Sequence, residues 1–408
     1  MTKGKPADDP ARFWAESLVN KIVPWKFMGR SLSFALSHAL FSSHDIDAGS
    51  RLLLKTVAQQ LKPEGMRAVL DLGCGVGVLG ISLKARFPHL DVTAVDRDAL
   101  AVEFTRRNAR RNGWEAGEGG FSVLGSLGLR HLPDRTYDLI LSNIPAKAGR
   151  SVIESWINGC AALLERDGLL AVVIVKTLAP IAAEALQHAG YHMIFSEETR
   201  EYTVFHARPA HAQAVDRSLA PYKRGRMTLS AAGGPLELET VTGLPEFDTL
   251  GYGTVLLRKI TDRVECEGKV LLWNPGQGHL AALLWRRFGR RIRQLILAGR
   301  DLLSLEISRS NCLTAGAGEE RLAVGHVPSL FTVSGVFDRV IMVPDADAGV
   351  PWHLSLLSSV LPRLAAGGVA ALAARSSLLG RVDWPRSIRV LADFKSRGFR
   401  GVAFRPTA

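Results

Sequence analysis

The second half of this 408-residue chain repeats its first half, and this repeat limits the folds available to it. Residues 69–77, VLDLGCGVG, return as residues 270–278, VLLWNPGQG, at an offset of 201. Residues 301–311 repeat 98–108 at an offset of 203, matching leucine, glutamate, arginine and asparagine in place. Because each copy is long enough for a domain of its own, the repeat predicts two tandem domains of one fold.

The first copy carries a strand that ends in three glycines. Gly73, Gly75 and Gly77 follow an apolar run, and Asp96 ends the next strand, 25 residues after Asp71. Glycines at a strand end let the backbone turn sharply and present its amides to a ligand. The spacing fits one strand–loop–helix–strand unit of a doubly wound α/β sheet, although a glycine triplet alone also serves ordinary tight turns.

The position of the acids indicates the class of ligand. Asp71 lies before the first glycine, where it would repel a pyrophosphate but attract an ammonium group. Asp96, at the tip of the second strand, can accept hydrogen bonds from both ribose hydroxyls. The pattern therefore favours a nucleoside cofactor that carries positive charge and no phosphate.

A second candidate site follows the strand predicted over residues 137–142. That strand delivers Asn143, Ile144 and Pro145 to the carboxyl edge of the sheet, where such sheets bind ligands. The Asn143 side-chain oxygen and the carbonyl of residue 144 can accept the two protons of an amine and direct its lone pair, while Pro145 stiffens the turn. A simple turn that closes a strand remains the alternative interpretation.

These segments resemble motifs I and IV of the class I S-adenosylmethionine-dependent methyltransferases. Residues 39–54, ALFSSHDIDAGSRLLL, resemble the upstream segment of the small-domain subfamily, whose best-known members methylate guanine N2 in bacterial ribosomal RNA. The resemblance covers residues 25–207 and implies mostly parallel seven-stranded sheets with S-adenosylmethionine as cofactor. It assigns catalysis to Asn143, Ile144 and Pro145. It assigns cofactor binding to Asp71, Gly73, Cys74, Gly75, Gly77, Asp96, Arg97, Ser126 and Asn143.

Two positions depart from the family pattern. Ala146 replaces the aromatic residue that normally stacks on a base. Either another aromatic residue makes that contact, with Phe41 the first candidate and Trp25 or Phe34 behind it, or the substrate is not a planar base. Ser126 stands where an acid often binds the adenine amino group, which predicts a weaker hydrogen bond there.

The second copy has lost the residues that carry chemistry. Leu272 replaces Asp71, Asn274 replaces Gly73, Gly299 replaces Asp96 and Val343 replaces Asn143. No carboxylate remains for an ammonium or a ribose, so the copy is predicted to keep the fold and not the activity.

Positive charge is concentrated in the second half. Residues 1–208 carry a net charge of +3 and residues 209–408 carry +9. A basic module beside a methyltransferase domain predicts contacts with the phosphates of RNA, the solvated basic surface being the alternative. The substrate-binding candidates in its densest cluster are Arg286, Arg287, Arg290 and Arg291, followed by Arg293.

Composition limits the remaining classes. The four cysteines lie far apart, and no histidine pair has metal-ligand spacing, so neither a metal site nor a disulfide framework is predicted. The polar N-terminus and the lack of long apolar runs predict a cytoplasmic protein without a membrane span. The oligomeric state stays open, a monomer being compatible with the sequence.

Together these observations predict an α/β protein of two tandem Rossmann-like domains. Residues 1–208 form the catalytic domain, 209–246 a connecting segment, and 247–408 a degenerate domain that binds substrate or acts as a scaffold. The predicted activity is N-methylation of a guanine exocyclic amine (N2) in ribosomal RNA. The alternatives are a methyltransferase for a small molecule or a protein side chain, and a cofactor-binding module without turnover.

Overall fold

A computed structural model describes residues 16–40, 44–61, 63–115, 117, 119–211, 214–344 and 352–407. The described residues divide into two compact units, one of residues 19–222 and one of residues 223–407 together with 16–18. The division falls inside the segment 209–246, whose last part is a β-hairpin grouped with the second unit.

The first unit contains nine strands and five longer helices among its described residues. The strands are β1 (Lys21–Phe27), β2 (Arg30–Leu36), β3 (Ala68–Leu72), β4 (Asp91–Asp96), β5 (Phe121–Gly125), β6 (Tyr137–Asn143), β7 (Leu164–Val175), β8 (Tyr191–Glu198) and β9 (Tyr202–Pro209). The helices are α1 (Ala48–Gln60), α2 (Val78–Arg86), α3 (Ala99–Arg111), α4 (Arg150–Leu163) and α5 (Ala179–His188).

The second unit repeats this order. Its strands are β10 (Lys223–Ala231), β11 (Gly234–Val241), β12 (Gly268–Trp273), β13 (Ile292–Gly299), β14 (Leu322–His326), β15 (Phe337–Met342), β16 (Leu364–Arg375), β17 (Ile388–Ser396) and β18 (Phe399–Pro406). Its helices are α6 (Tyr252–Val264), α7 (His279–Phe288), α8 (Leu302–Thr314), α9 (Trp352–Val360) and α10 (Ser376–Leu379).

Both large sheets have seven strands in the same topology. The order is β5-β4-β3-β6-β7-β9-β8 in the first unit and β14-β13-β12-β15-β16-β18-β17 in the second. The first five strands of each order are parallel to one another, and the last two pair antiparallel. Since the chain leaves β3 towards β4 and later returns to β6 on its other side, the ligand edge lies between β3 and β6. The predicted fold class is confirmed.

Each unit also has a two-stranded hairpin, β1–β2 or β10–β11, fastened by one buried asparagine. Asn108 accepts a hydrogen bond from the Ala35 amide and donates to the carbonyls of Ala35 and Val76. Asn311 makes the same three bonds to Glu239 and Gln277. The hairpins are therefore part of the duplication, and each one is tied to the glycine loop of its own unit.

Apolar residues of α4 and α5 pack with strand residues of the first sheet in one buried cluster. Tyr137, Phe104 and Phe121 are among the largest fully buried side chains. In the part of the chain that the structure describes, no helix combines the length and the apolar character needed to cross a membrane.

Candidate active site

The glycine loop after β3 has the conformation that its sequence predicts. Gly73, Gly75 and Gly77 have φ angles of 77°, 57° and 87°, a region that favours glycine. A Cβ at Gly77 would lie 2.7 Å from Ile81 Cδ1, so this glycine serves close packing. At Gly73 and Gly75 an added Cβ would meet nothing within 4 Å, which leaves the loop surface open to a ligand.

The two predicted acids are held by backbone amides around this loop. Asp71 is fully buried in β3, and its Oδ2 accepts from the Gly80 amide at 2.8 Å. Its Oδ1 is buried and has no hydrogen-bond partner. Asp96 is half-buried at the end of β4, and its two oxygens accept from the amides of Gly75 and Asp98, each at 2.9 Å.

Burial makes both carboxylates hard to ionise in the absence of a cation. Burial raises the pKa of Asp71 to about 7, with the Gly80 hydrogen bond opposing this rise and the Asp96 charge adding to it. Burial likewise raises the pKa of Asp96 to about 6. An orphaned buried oxygen beside a second acid fits a ligand that brings a hydrogen-bond donor and positive charge.

Asn143 ends β6 on the other side of β3, as its strand pattern predicts. Its Nδ2 donates to Asp47 Oδ2 at 2.7 Å and to Ser50 Oγ at 3.0 Å. Because both amide protons are directed at these acceptors, the side-chain orientation is set and Oδ1 is left to accept from a ligand. Ile144, next in the chain, is buried and donates its amide proton to the Val173 carbonyl.

Asp47 connects this asparagine to an aromatic residue that the sequence interpretation missed. The Tyr202 hydroxyl donates to Asp47 Oδ1 at 3.2 Å, and Asp47 Oδ2 also caps α1 by accepting from the Ser50 amide. Burial and the Asp47 charge raise the pKa of Tyr202, which keeps its hydroxyl a neutral donor. A Cβ at Gly49 would lie 2.9 Å from the Tyr202 ring, so only glycine lets the ring approach. The available sequence signal was an aspartate directly before a run of residues that favour helix, since aspartate is a preferred N-cap residue.

The corresponding place in the second unit is filled. Asn274, in place of Gly73, keeps the left-handed backbone with a φ of 54°. Its Nδ2 donates to the Val343 carbonyl at 3.0 Å, and a Cβ at Gly299 would lie 3.0 Å from its Oδ1. The Asn274 side chain therefore lies between the ends of β12, β13 and β15, in space that the first unit leaves open.

The other predicted cofactor residues differ in what they offer. The Ser126 hydroxyl is buried, donates to the Gly128 carbonyl and accepts from the His131 amide, so it is already used inside its own loop. Cys74 is buried against the Thr105 hydroxyl, and burial raises the pKa of its thiol well above the usual range. Arg97 follows Asp96 and is half-buried at the same edge.

Of the aromatic residues proposed for base stacking, Phe34 is not available to a ligand. Phe41 lies outside the described residues. Phe34 is fully buried in β2, and Trp25 donates to Ser82 Oγ while Arg51 covers its ring. Core packing therefore removes Phe34 as a stacking partner. Ala146 is exposed beside Pro145.

The predicted arginine cluster is largely neutralised by nearby acids. Arg287 pairs with Asp262, Arg291 with Glu265, and Arg293 lies 3.8 Å from Asp338. Arg286 approaches the Gly233 carbonyl of the β10–β11 turn, and Arg290 is exposed. The cluster therefore presents less free positive charge than its sequence suggests. Acids brought close by the fold, from α6 and the strand ends, are the reason.

Within the described ranges, no group of three or more histidine, cysteine or acidic side chains is arranged to hold a metal ion. All four cysteines are free and buried.

Comparisons with known proteins agree with this geometry. The family described as "Methyltransferase small domain" matches residues 31–206. The uncharacterized protein YbxB of Bacillus subtilis is 30% identical over 188 residues, which cover 45% of this chain and 90% of that protein. The ribosomal RNA small subunit methyltransferase C of Actinobacillus pleuropneumoniae is 37% identical over 144 residues, 34% of this chain and 41% of that relative. The chain thus matches less than half the length of that methyltransferase.

One solved structure matches both units. The 16S rRNA N2-guanine methyltransferase of T. thermophilus, solved with AdoMet and guanosine, aligns with a TM-score of 0.63 at 17% identity. The alignment covers 96% of this chain and 99% of that protein, so the tandem fold is shared.

Fold, glycine loop and paired acids define a class I S-adenosylmethionine-dependent methyltransferase. The chain belongs to the methyltransferase small-domain family.

Proposed function

We propose that this protein methylates the exocyclic N2 amine of a guanine in small-subunit ribosomal RNA. The observation that carries the proposal is the orientation of Asn143, whose amide protons are held by Asp47 and Ser50. An amide oxygen fixed in this way can accept a proton from an aromatic amine and direct the nitrogen lone pair. The first unit is then the catalytic domain, and the second a degenerate domain without a cofactor site.

The first unit has residues that suit the cofactor. Bound S-adenosylmethionine supplies a methyl group attached to a positively charged sulfur, which is a good leaving group because it departs as a neutral thioether. Asp71, with its unpartnered Oδ1, would hold the ammonium group, and Asp96 would hold the ribose hydroxyls. The open backbone at Gly73 and Gly75 would let the cofactor approach closely.

The remaining work of the chain is to align the amine. Asn143 Oδ1 and the Ile144 carbonyl would accept its two protons, and the Pro145 ring would keep that backbone in place. Neither acceptor needs to act as a base, since the methylated amine can lose its extra proton to water. Asp47 and Tyr202 would act through Asn143 by holding its orientation.

The relatives support the RNA substrate. The named relative from Actinobacillus acts on small-subunit ribosomal RNA, and the T. thermophilus structure contains guanosine. An amine on a planar base is also the nucleophile that most needs an acceptor pair, because its lone pair is conjugated with the ring.

A specific observation favours a second candidate, methylation of a small molecule or a protein side chain. Ala146 is exposed and offers no aromatic surface to a flipped base. Tyr202 is the described aromatic side chain that is hydrogen-bonded into the Asn143 network, and its ring is half-buried. If Tyr202 cannot stack on a base, the RNA substrate loses a contact that is worth roughly 1–3 kcal/mol in related sites.

The test supplies the purified chain with S-adenosylmethionine that carries a labelled methyl group. Four fractions from cells lacking this protein are offered separately: 16S rRNA, small ribosomal subunits, protein and small metabolites. We expect label in the rRNA, recovered as N2-methylguanosine after complete digestion. Label confined to protein or to small metabolites would contradict the RNA substrate and support the second candidate. No label in any fraction, with cofactor binding intact, would support a cofactor-binding module without turnover.

A further inference from the structure

A compact group of aromatic and arginine side chains lies on the second unit, away from the predicted arginine cluster in sequence. Tyr252 begins α6 and is 42% exposed, and its ring centroid lies 5.9 Å from that of Phe399, the first residue of β18. The Arg397 guanidinium lies 5.3 Å from the Tyr252 ring, and that of Arg375 lies 5.7 Å from the Phe399 ring. These four residues are called the Tyr252 patch.

The backbone holds the patch in a defined arrangement. Arg397 and Gly398 form the tight turn between β17 and β18, with φ angles of 47° and 81°. The Ser376 amide donates to the Gly398 carbonyl at 2.8 Å, which fastens the turn to the end of β16. Because non-glycine residues seldom adopt a positive φ, the direction of Arg397 is set by the turn and not by chance contacts of a flexible loop.

The charge of the patch is not neutralised. Arg397 donates to the Tyr252 hydroxyl at 2.9 Å, a neutral partner. Over the described part of the chain, neither Arg375 nor Arg397 pairs with a carboxylate, and the neighbouring Asp393 is held by Arg400 through two hydrogen bonds. This contrasts with Arg287, Arg291 and Arg293, whose charges face acids.

A second cation over an aromatic ring extends the surface. Lys259 of α6 lies 4.3 Å above the ring of Phe394 in β17. Phe399 lies directly opposite Ser396 on the neighbouring strand, so the two side chains share a face of the sheet. Phe394 is two residues before Ser396 in β17 and therefore lies on that same face. Partly exposed rings with adjacent cations thus follow one another along the hairpin.

We propose that the Tyr252 patch binds unpaired bases and phosphates of single-stranded RNA, and this inference rests on the proposed RNA substrate. Every base presents a flat face that stacks on an aromatic ring or a guanidinium plane, while the cations attract phosphates. An acidic peptide would use the cations but gain little from the exposed Tyr252 ring. The patch, not the cluster around Arg290, is then the surface of the second unit that positions the substrate.

The experiment measures fluorescence anisotropy of a labelled oligouridylate over a range of salt concentrations, using the full-length chain with S-adenosylhomocysteine present. Tyr252→Ala should weaken binding about tenfold or more, whereas Tyr252→Phe, which keeps the ring, should change it less than about threefold. Arg375→Ala with Arg397→Ala should lower the salt slope by about 1.4, since each lost phosphate contact in single strands removes about 0.7. The matched control, Arg287→Ala with Arg291→Ala, removes two positive charges that already face acids, so it should lower the salt slope less than the patch pair does.

The outcomes separate the inference from the proposed function. If Tyr252→Ala binds the oligouridylate as well as the unmodified chain, or if the control pair lowers the slope more than the patch pair, the inference is wrong. An equal loss with labelled polyglutamate would also overturn it, because the ring would then have no part in recognition. Methyl transfer to 16S rRNA by the unmodified chain tests the proposed function separately, and binding of RNA without transfer would overturn that function alone.

Discussion

The two units use the same scaffold, yet only one of them has kept the polar groups at the ends of its strands. Asn108 and Asn311 make equivalent bonds to their hairpins, and Asp98 and Asp301 cap equivalent helices. A further repeated contact lies near the starts of β3 and β12. Asp138 accepts from the amides of Arg67 and Ala68, and Asp338 accepts from the amide of Lys269.

The units differ in the polar groups at the place where a ligand would bind. Asp71, Asp96 and Asn143 have apolar residues or glycine as counterparts, and Asn274 fills the space beside them. Folding and chemistry therefore make separate demands on this sequence. Buried polar groups that complete backbone hydrogen bonds remain in both copies, because losing them costs stability whether or not a ligand binds.

The strongest effect should come from the amine acceptor. Asn143→Ala should lower turnover by about 10²–10³-fold, the usual consequence of removing one well-placed polar group from a reacting centre. The cofactor dissociation constant should change by less than about threefold, because the amide acts on the substrate. Steady-state kinetics with rRNA and calorimetry with cofactor measure the two quantities. Val343→Ala, at the matching position of the second unit, is the control, and unchanged turnover in Asn143→Ala would reduce the loop to a strand-ending turn.

The next prediction tests whether the scaffold is equal in the two units. Asn108→Ala and Asn311→Ala should each lower the free energy of unfolding of their own unit by about 2–4 kcal/mol, since each leaves three buried or partly buried backbone groups unpaired. Hydrogen exchange followed by mass spectrometry resolves the two units. A cost confined to Asn108 would mean that the second unit does not depend on the shared bond pattern.

A smaller effect is expected on cofactor affinity, which only the first unit should provide. Calorimetry on the full chain should detect one site, and Asp96→Ala should weaken it about ten- to a hundredfold through lost hydrogen bonds to a charged acceptor. Asp338→Ala, an acid at the opposite end of the second sheet, should leave the affinity unchanged. Two sites of comparable strength would contradict the view that Asn274 and Gly299 have closed the second one.

The weakest effect is a pH dependence of that site. The pKa values of about 7 for Asp71 and about 6 for Asp96 lie above the ordinary 3.8, so a cationic cofactor that favours the ionised forms must release protons on binding. Affinity should therefore rise as pH increases through about 6 to 7 and level off above, by at most about tenfold per pH unit for each carboxylate. Calorimetry in buffers of different ionisation enthalpy counts the protons released.

The free chain should show the opposite trend in stability. In the unfolded chain these carboxylates ionise near their ordinary pKa, so the folded state loses stability as pH rises from about 4 to about 7. Asp71→Asn removes one of the titrating groups, so it should weaken the pH dependence of both the cofactor affinity and the stability. A cofactor affinity independent of pH would show that neither acid changes its protonation when the cofactor binds.

Local patterns predicted much of the fold and the core of the site. The three positive φ angles of the glycine loop, the strand ends at Asp96 and Asn143, and the duplication all follow from short runs of residues. These features can be predicted because they depend on residues that are neighbours in sequence. A strand carries its last side chain to the sheet edge, and a turn with positive φ angles requires glycine. The hairpin in the segment 209–246 was not predicted, because its strands share little sequence with β1 and β2.

The residues alone thus predicted two copies of one doubly wound sheet. They also predicted that one copy has acids and an amide at its ligand edge and that the other lacks them. Which distant side chains meet at that edge depends on the folded chain. Asp47 contacts Asn143 across 96 positions and Tyr202 across 155, and no periodicity predicts such pairs. The arginines around Arg290 looked free in the sequence, but folding brought Asp262, Glu265 and Asp338 beside three of that cluster. Charge and hydrogen-bonding capacity are properties of residues, whereas their neutralisation depends on which residues the packing of helices and strands brings within reach.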